Sequence, residues 1–370
     1  MSARRVAVLG STGSVGTQAL KIIDASEELV LHSILCRSNV DLLTRQRELY
    51  SPGIAAAIMP GKGCPSWIST GPGALREAIE GSDMVLNGIV GSAGLEASLL
   101  CRELGITLAL ANKESLVTGG ELLDDFVRSG RVIPVDSEHS TIFRCLQGER
   151  RPVLGITLTA SGGSARDIPY HELKEASPDR ILTHPNWNMG ARITVDSATM
   201  VNKAFEVIEA RWLFGNVPVS VVVHPGSIVH SLVRLGDGSW KALLGEPDMK
   251  VPIQYALAYP DLHITALSAE GPLDWGRLEF LPLDHVRYPA FRMVVGAGEE
   301  GGTLPAAANA ADEVAVEAFL AGRIDFGCIA SVIGEVLDSH ESLPVSVMGD
   351  VMDADERARD RARKVVRRLC

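Results

Sequence analysis

The sequence predicts an α/β protein with an N-terminal parallel sheet, a second domain of α+β character and a C-terminal helical domain. Up to about residue 136, short β-rich runs alternate with segments of helical periodicity, which is typical of a parallel sheet covered on both faces. Beyond that point the strands have irregular connections, and from Pro305 onward the pattern is helical. The length of 370 residues corresponds to two or three domains.

The first part of the chain contains six predicted strands, each a short apolar run. They are Val6–Leu9, Val30–Leu35, Ile54–Met59, Met84–Leu86, Thr107–Leu110 and Val132–Val135. Four helices are predicted between them from apolar residues at helical spacing: Val15–Ala25, Val40–Leu49, Ala74–Ile79 and Leu95–Leu104. Since strands that alternate with helices run in one direction, we expect their carboxyl ends to share one edge of the sheet.

The remaining chain has a less regular pattern. Strands are predicted at Val153–Thr159, Val219–Val223, Ser231–Leu235 and Trp240–Leu244. Helices are predicted at Thr199–Trp212, Met249–Ala258, Ala306–Leu320 and Ala354–Arg368. Residues 260–290 are rich in proline and glycine, which is typical of a linker. We therefore expect domains at residues 1–136 and 137–260, a linker at 261–290 and a helical domain at 291–370.

The composition excludes several classes of protein. Hydrophobic residues make up 46% and charged residues 22%, so the chain can bury large cores and is not a disordered protein. Against 46 acidic residues there are 35 Lys and Arg residues, and the net charge of −11 disfavours general binding to nucleic acid or an anionic membrane. No apolar run reaches the roughly 18 residues of a membrane span. With no leader pattern and no CxxC pair among six cysteines, we expect a reduced, cytoplasmic, globular protein.

A glycine-rich segment, GSTGSVG at residues 10–16, follows the first predicted strand and opens the first predicted helix. Its central residues are Thr12, Gly13, Ser14 and Val15. In such a turn, backbone N–H groups and the positive end of the helix dipole can hold a pyrophosphate. The segment predicts a dinucleotide site in a Rossmann-like sheet, with an ordinary tight turn as the alternative.

The end of the second predicted strand favours NADP over NAD. NAD sites usually place an acidic residue there, where it holds the ribose 2′-hydroxyl. Here the strand is followed by Arg37, Ser38 and Asn39, and no acid occurs before Asp41. A basic side chain with two polar neighbours suits a 2′-phosphate, and a solvated loop arginine is the alternative.

Charged residues follow two later strands of the predicted sheet. Asp136 and Glu138 flank Ser137 directly after one of them. Two carboxylates in this arrangement suit Mg²⁺ or Mn²⁺ rather than zinc, although an N-cap with Glu in the first helical turn explains the same pattern. The segment Asn112–Glu114 follows the other strand, where Lys113 could pair with a substrate oxygen or be solvated.

The helix predicted across residues 197–212 has a polar arc opposite its apolar face. The arc contains Asn202, Lys203, Glu206 and Glu209. It either faces water, with Lys203 and Glu206 as an ion pair, or supplies phosphate ligands and a third carboxylate for a metal.

Two loops also carry polar groups. The segment HPNWNMG at 184–190 is either a loop that closes over a ligand or a loop that packs on the core. The turn Ser161–Gly163 after a predicted strand is either a phosphate nest or an ordinary glycine turn.

Together, eight sequence segments resemble those of the 1-deoxy-D-xylulose 5-phosphate reductoisomerase family. The segments are GSTGSVG at 10–16, ANKESLV at 111–117, DSEH at 136–139, LTASGG at 158–163, HPNWNMG at 184–190, ITVDSATMVNKAFEVIEARWLF at 193–214, LGEPDM at 244–249 and AADEVAVEAFL at 310–320. The resemblance implies NADPH- and divalent-metal-dependent rearrangement and reduction of 1-deoxy-D-xylulose 5-phosphate to 2-C-methyl-D-erythritol 4-phosphate, in the non-mevalonate isoprenoid pathway. It implies Mn²⁺ or Mg²⁺, with Co²⁺ as a further candidate, and a homodimer with NADPH-binding, connecting catalytic and C-terminal helical domains.

The resemblance also implies residue roles. Cofactor contacts are implied for Thr12, Gly13, Ser14, Val15, Arg37, Ser38, Asn39, Asn112, Glu114 and Gly190. Metal ligands are implied to be Asp136, Glu138 and Glu206. Substrate contacts are implied for Lys113, Ser137 and Glu138 at the reacting end and for Ser161, His184, Ser197, Asn202, Lys203 and Glu206 elsewhere. Lys113 and Glu138 are the implied catalytic residues, and Trp187 and Met189 the implied lid.

The chain also departs from the family pattern. The departures are Arg37, Ser38, Ser164, Ala165, Arg192, Ala204 and Asp312, the last in place of an asparagine. Two rival functions share the same motifs. One is an NADP-dependent dehydrogenase of a metal-chelated hydroxy acid, and the other is an NADP sensor without catalytic activity.

Overall fold

The computed structural model describes residues 3–183, 190–260 and 271–369, and the chain divides into two compact units. The first unit comprises the described residues of Met1–Ser115, Leu123–Phe143 and Asp248–Ser268. The second comprises those of Leu116–Leu122, Arg144–Pro247 and Ala269–Cys370. The domain boundaries expected at residues 136, 260 and 290 stay predictions.

The first unit is built on a parallel sheet, with seven strands within the described residues. They are β1 Arg4–Leu9, β2 Leu29–Cys36, β3 Ile54–Ala57, β4 Ser69–Thr70, β5 Met84–Asn87, β6 Thr107–Leu110 and β7 Val132–Pro134. Their order across the sheet is β4-β3-β2-β1-β5-β6-β7, and each neighbouring pair is parallel. Residues 6–9 of β1 are fully buried, as expected for a central strand covered on both faces.

Helices connect these strands. They are α1 Ser14–Asp24, α2 Val40–Tyr50, α3 Ala74–Ile79, α4 Gly94–Leu104, α5 Glu114–Arg128 and α6 Ser137–Leu146. In α1 the buried residues are Gly16, Ala19, Leu20 and Ile23, which recur at the helical spacing that the sequence shows. The predicted alternation of strands and helices is therefore confirmed.

The second unit contains a mixed sheet, with five strands among the described residues. They are β8 Val153–Ala160, β9 Val219–Val223, β10 Val229–Leu235, β11 Trp240–Leu244 and β12 Leu281–Pro282, in the order β11-β10-β8-β9-β12. β8 and β9 are parallel, whereas the other neighbouring pairs are antiparallel. Two of these residues, Leu281 and Pro282, come from the predicted linker and form an edge strand.

The remaining helices complete the fold. They are α7 Tyr170–Leu173, α8 Pro178–Ile181, α9 Ala191–Thr199, α10 Val201–Phe214, α11 Lys250–Ala258, α12 Pro272–Trp275, α13 Pro289–Glu300, α14 Leu304–Leu320, α15 Cys328–Ser339 and α16 Met348–Leu369. α11 belongs to the first unit. α14 is buried along most of its length and packs against α13, α15 and α16, which confirms the helical C-terminal region.

The predicted helix at 197–212 is two helices. Met200 has a φ of 63° and lies between α9 and α10, so it ends one helix and precedes the next. Across the described ranges, every helix is too short or too polar to cross a lipid bilayer.

Candidate active site

The parallel sheet brings four predicted site segments to one edge of the first unit. At the carboxyl ends of the strands, Leu9 pairs with Leu35 and Asn87, Asn87 pairs with Leu110, and Leu110 pairs with Pro134. The glycine loop and the segments that begin at residues 37, 112 and 136 follow these strand ends. Ligands of open parallel sheets bind at this edge, so the fold places the predicted cofactor and acidic segments at an expected ligand site.

The glycine loop makes a close turn between β1 and α1. Gly10 has a φ of 75°, and a Cβ atom there would lie 2.4 Å from the carbonyl oxygen of Gly88, so only glycine fits. The N–H of Gly13 donates to the carbonyl of Gly10 at 2.9 Å, and α1 begins at the next residue, Ser14. Because the first N–H groups of a helix have no partner within it, the loop ends at a suitable site for an anion.

The segment after β2 is exposed. Asn39 caps α2, since its Oδ1 accepts the N–H of Leu42 at 3.2 Å. The carbonyl of Arg37 accepts the N–H of Met59 at 2.7 Å, which holds the backbone while the Arg37 side chain remains exposed. An exposed guanidinium at this sheet edge can pair with a phosphate, as the NADP prediction requires.

Asn112 and Glu114 hold the loop that follows β5. The amide nitrogen of Asn112 donates to the carbonyls of Ile89 and Gly91 at 2.7 and 2.9 Å. Oε1 of Glu114 accepts the N–H of Gly91 at 3.2 Å, and Oδ1 of Asn112 accepts the N–H of Ser115 at 3.0 Å. Asn112 is buried, so both side chains shape the backbone at residues 89–91, a role that sequence reasoning did not predict.

Lys113 and the acidic pair lie together. Nζ of Lys113 is 2.7 Å from Oδ2 of Asp136, and both side chains are mostly buried. Oδ1 of Asp136 accepts the N–H of Glu138 at 3.2 Å and so caps α6, while Ser137 Oγ donates to Glu138 Oε2 at 2.6 Å. Carboxylate oxygens of Asp136 and Glu138 lie within 4.8 Å of each other. Asp136 therefore caps α6 with Oδ1 and pairs with Lys113 through Oδ2, so the N-cap explanation of this segment is confirmed and the metal-binding one stays a prediction.

The polar arc of α10 in the second unit is buried. Lys203, Glu206 and Glu209 are at most 5% exposed, so the interpretation in which this arc faces water is wrong. Oε1 of Glu206 accepts a hydrogen bond from Asn202 Nδ2 at 2.6 Å, and Oε2 accepts one from Lys203 Nζ. A buried carboxylate needs such compensation, because taking it out of water without a partner costs several kcal/mol.

The turn after β8 packs directly on α9. A Cβ atom on Gly163 would lie 2.7 Å from the carbonyl oxygen of Ser197 and 2.8 Å from Cα of Ala198. Oγ of Ser161 accepts the N–H of Gly163 at 3.1 Å. Two predicted phosphate ligands, Ser161 and Ser197, are therefore brought to the same part of the second unit.

A charged cluster adjoins Ser197. Arg192 lies 3.5 Å from Asp196, 3.8 Å from Asp312 and 2.9 Å from Glu313, measured between guanidinium nitrogens and carboxylate oxygens. Burial raises the pKa of Asp312 well above its ordinary value, the negative charge of Asp196 raises it further, and Arg192 opposes both effects. Since Asp196 and Ser197 are consecutive in α9, this cluster anchors the helix that carries Ser197.

Three predicted residues lie outside the described residues: His184, Trp187 and Met189. Gly190 is described and exposed, and it precedes α9 with its carbonyl accepting the N–H of Thr194 at 3.1 Å.

Comparison with known families gives matches along most of the chain. Residues 6–120 match the sequence model of 1-deoxy-D-xylulose 5-phosphate reductoisomerase, and residues 132–214 and 244–361 match models of C-terminal domains of the same enzyme. The Geobacter metallireducens 1-deoxy-D-xylulose 5-phosphate reductoisomerase is 41% identical, over 98% of this chain and 99% of the relative. The Geobacillus kaustophilus one is 44% identical, over 95% and 97% respectively. The chain belongs to the 1-deoxy-D-xylulose 5-phosphate reductoisomerase family.

Solved structures of this family have the same fold. The Zymomonas mobilis reductoisomerase in complex with NADPH is 35% identical, with a TM-score of 0.88 over 99% of each chain. A reductoisomerase in complex with NADPH, fosmidomycin and magnesium is 33% identical, with a TM-score of 0.90 over 98% of each chain.

Sequence reasoning missed buried polar residues that lie outside the motifs but form hydrogen bonds with the glycine loop or with the segment after β5. Asn87 donates to the carbonyl of Gly94 at 2.9 Å and to Ser98 at 3.0 Å, and Gln46 is bonded to Ser11 of the glycine loop. Gln46 could have been found from the sequence, because it follows the apolar Leu43 by three residues and so lies on the buried face of the predicted helix.

Proposed function

We propose that this chain converts 1-deoxy-D-xylulose 5-phosphate to 2-C-methyl-D-erythritol 4-phosphate, with NADPH as reductant and a divalent metal. The observation that carries this proposal is the family match, which extends over both units at 41–44% identity to full-length relatives. The first unit supports it with a glycine loop at a helix N-terminus, and the second with a buried lysine and carboxylate that are bonded to each other and to a half-buried asparagine.

We propose that Asp136, Glu138 and Glu206 hold the metal. Carboxylates are hard oxygen ligands that suit Mg²⁺ or Mn²⁺, and Co²⁺ is a further candidate. The oxygens of Asp136 and Glu138 are close enough to share a cation, and relatives in solved structures bind magnesium. When bound, the metal supplies Lewis-acid stabilisation of negative charge on substrate oxygen.

Lys113, Ser137 and Glu138 are proposed to act at the reacting end of the substrate. Lys113 is held by Asp136 and brings a positive hydrogen-bond donor to charge that develops on oxygen. Glu138 is held by Ser137 and is the group that we propose to transfer a proton.

The NADPH contacts are proposed to come from the edge of the parallel sheet. Residues Thr12, Gly13, Ser14 and Val15 would hold the pyrophosphate, and Arg37, Ser38 and Asn39 the 2′-phosphate. Asn112, Glu114 and Gly190 are the remaining proposed cofactor residues. Glycine-loop N–H groups and an exposed guanidinium are chemically suited to these two anions.

The phosphate end of the substrate is proposed to bind Ser161, His184, Ser197, Asn202 and Lys203. These side chains supply hydroxyl, amide and cationic donors for a phosphate. A phosphate is remote from the bonds that change, so its binding energy can align the reacting end and close the loop with Trp187 and Met189.

We also propose a homodimer located in the cytoplasm. Apolar side chains of the five-stranded sheet are exposed, as expected of a surface that a second copy covers: Leu154, Trp240, Leu244 and Leu281. Free thiols at Cys36, Cys64, Cys101, Cys145 and Cys328 agree with a reducing compartment. Light scattering tests the dimer, for which we expect twice the chain mass of 39.5 kDa.

The reaction is tested by incubating the metal-depleted protein with NADPH and 1-deoxy-D-xylulose 5-phosphate, with and without Mn²⁺. We expect NADPH oxidation to require the metal, and NMR to identify a branched polyol phosphate. An unrearranged product would instead support the rival function of an NADP-dependent dehydrogenase. Binding of NADPH without metal-dependent oxidation of NADPH would support the rival function of an NADP sensor.

A further inference from the structure

Gln46 of α2 is joined to Ser11 of the glycine loop by two reciprocal hydrogen bonds. Oγ of Ser11 donates to Oε1 of Gln46 at 2.8 Å, and Nε2 of Gln46 donates to the carbonyl oxygen of Ser11, also at 2.8 Å. The two residues are 35 positions apart in the sequence, and both are buried. The contact therefore connects the glycine loop to α2 through a residue, Gln46, that lies outside the predicted cofactor-binding segments.

Ser11 is one of the residues through which the loop is attached to the rest of the first unit. Its N–H donates to the carbonyl of Leu35 in β2 at 3.0 Å, so its N–H, carbonyl and hydroxyl are all engaged inside the protein. The next residues, 12–15, lead into the N-terminus of α1. A loop fixed at this point presents its N–H groups without first having to be ordered, which favours binding of an anion.

We propose that Gln46 is a positioning residue for the cofactor, acting through Ser11 to hold the glycine loop in the conformation that binds the NADPH pyrophosphate. This inference rests on the NADPH-dependent function proposed above. Gln46 itself is buried beneath the loop residue, and its effect on the cofactor is transmitted by the backbone of Ser11.

If Gln46 had a purely structural role, its replacement would affect NADPH binding only through the packing of α2. Another buried residue of the same helix provides a control for this alternative. Leu43 is fully buried one helical turn before Gln46. Leu43→Ala removes packing from α2 while leaving Gln46 and Ser11 in place, so it reports what general destabilisation of the helix does to the cofactor site.

The experiment compares Gln46→Leu, Leu43→Ala and the unmodified full chain in the presence of Mn²⁺. The dissociation constant for NADPH is measured by fluorescence titration, the Tm by calorimetry and the KM for 1-deoxy-D-xylulose 5-phosphate at saturating NADPH. We expect Gln46→Leu to raise the NADPH dissociation constant by about tenfold with little change in substrate KM, because two buried polar groups lose their partners. We expect Leu43→Ala to lower the Tm but to change the NADPH dissociation constant by less than about twofold.

A second variant, Ser11→Ala, breaks one bond of the pair from the side of the loop. We expect it to weaken NADPH binding less than Gln46→Leu does. In the double variant the two effects should be clearly non-additive, since both changes remove the same contact. If Gln46→Leu does not fold, NADPH binding by Ser11→Ala alone carries the test.

The inference is overturned if Gln46→Leu or Ser11→Ala binds NADPH as tightly as the unmodified chain. It is equally overturned if Leu43→Ala weakens binding as much as Gln46→Leu. A different outcome, in which the unmodified chain itself does not bind NADPH, would refute the proposed function instead.

Discussion

Gly163→Ala tests whether the turn after β8 supports the substrate phosphate site through α9. Gly163 has φ 59° and ψ −173°, a region of backbone space that is essentially restricted to glycine and costs other residues about 1–3 kcal/mol. The new Cβ would also lie 2.7 Å from the Ser197 carbonyl oxygen and 2.8 Å from backbone atoms of Ala198. Overpacking of this kind costs about 1–3 kcal/mol, so we expect a total loss of about 2–6 kcal/mol in unfolding free energy.

Gly215→Ala provides the matched control. Gly215 has φ 78° and ψ −168°, in the same backbone region, but a Cβ there meets no atom within 4 Å. Its substitution therefore reports the backbone cost alone, about 1–3 kcal/mol. The difference between the two variants measures the steric contact with α9.

The assay combines urea unfolding with steady-state kinetics. Because the contact displaces Ser197 or Ser161, we expect Gly163→Ala to raise the KM for 1-deoxy-D-xylulose 5-phosphate by at least about tenfold, with an unchanged KM for NADPH. Gly215→Ala should leave both KM values unchanged. Equal substrate KM values for the two variants would refute the reasoning.

Two further predictions concern the second unit. Lys203→Ala removes the cation that pairs with Glu206, so we expect a higher KM for the substrate. Mn²⁺ binding, measured by calorimetry, should not be weakened. An unchanged KM would exclude Lys203 from the phosphate site. The raised pKa of Asp312 means that the native state holds a proton that the unfolded chain releases near pH 4, so stability falls as pH rises from there toward the raised native pKa, by about 1.4 kcal/mol per pH unit. Asp312→Asn removes this dependence, so its Tm relative to the unmodified chain should increase with pH. A difference in Tm that is constant between about pH 5 and pH 8 would contradict a raised pKa of Asp312 in the native state.

The sheet of the first unit could be predicted because its physical cause is local. Strands such as β1 are continuous apolar runs, and the intervening helices show apolar residues at helical spacing. β4 was missed because a strand of two residues, Ser69–Thr70, has no periodicity to detect. α5 was missed because its pair of glycines at 119 and 120 disfavours a helix, and Gly120 is explained by tertiary packing, since a Cβ there would lie 2.2 Å from the Trp212 ring.

In the candidate site, too, the features that depend on contacts between distant parts of the chain could not be predicted from the sequence. Spacing along α10 grouped Lys203 with Glu206 correctly but left open whether the arc faces water, because burial is decided by other parts of the chain. The break at Met200 also escaped prediction, since the helical pattern of the sequence continues across it and a left-handed conformation is rare for a residue other than glycine. Gln46 was missed because its partner, Ser11, is remote in the sequence.

The central claim is that Asp136, Glu138 and Glu206 bind one divalent cation. It is tested most directly by Mn²⁺ titration of the full chain, followed by electron paramagnetic resonance, for the unmodified protein and for Glu206→Gln. Glu209→Gln is the matched control, since Glu209 is equally buried on the same helix but outside the proposed ligand set. We predict that Glu206→Gln weakens Mn²⁺ binding by at least roughly tenfold with unchanged NADPH affinity, while Glu209→Gln binds the metal normally. Wild-type Mn²⁺ affinity in Glu206→Gln would contradict the account.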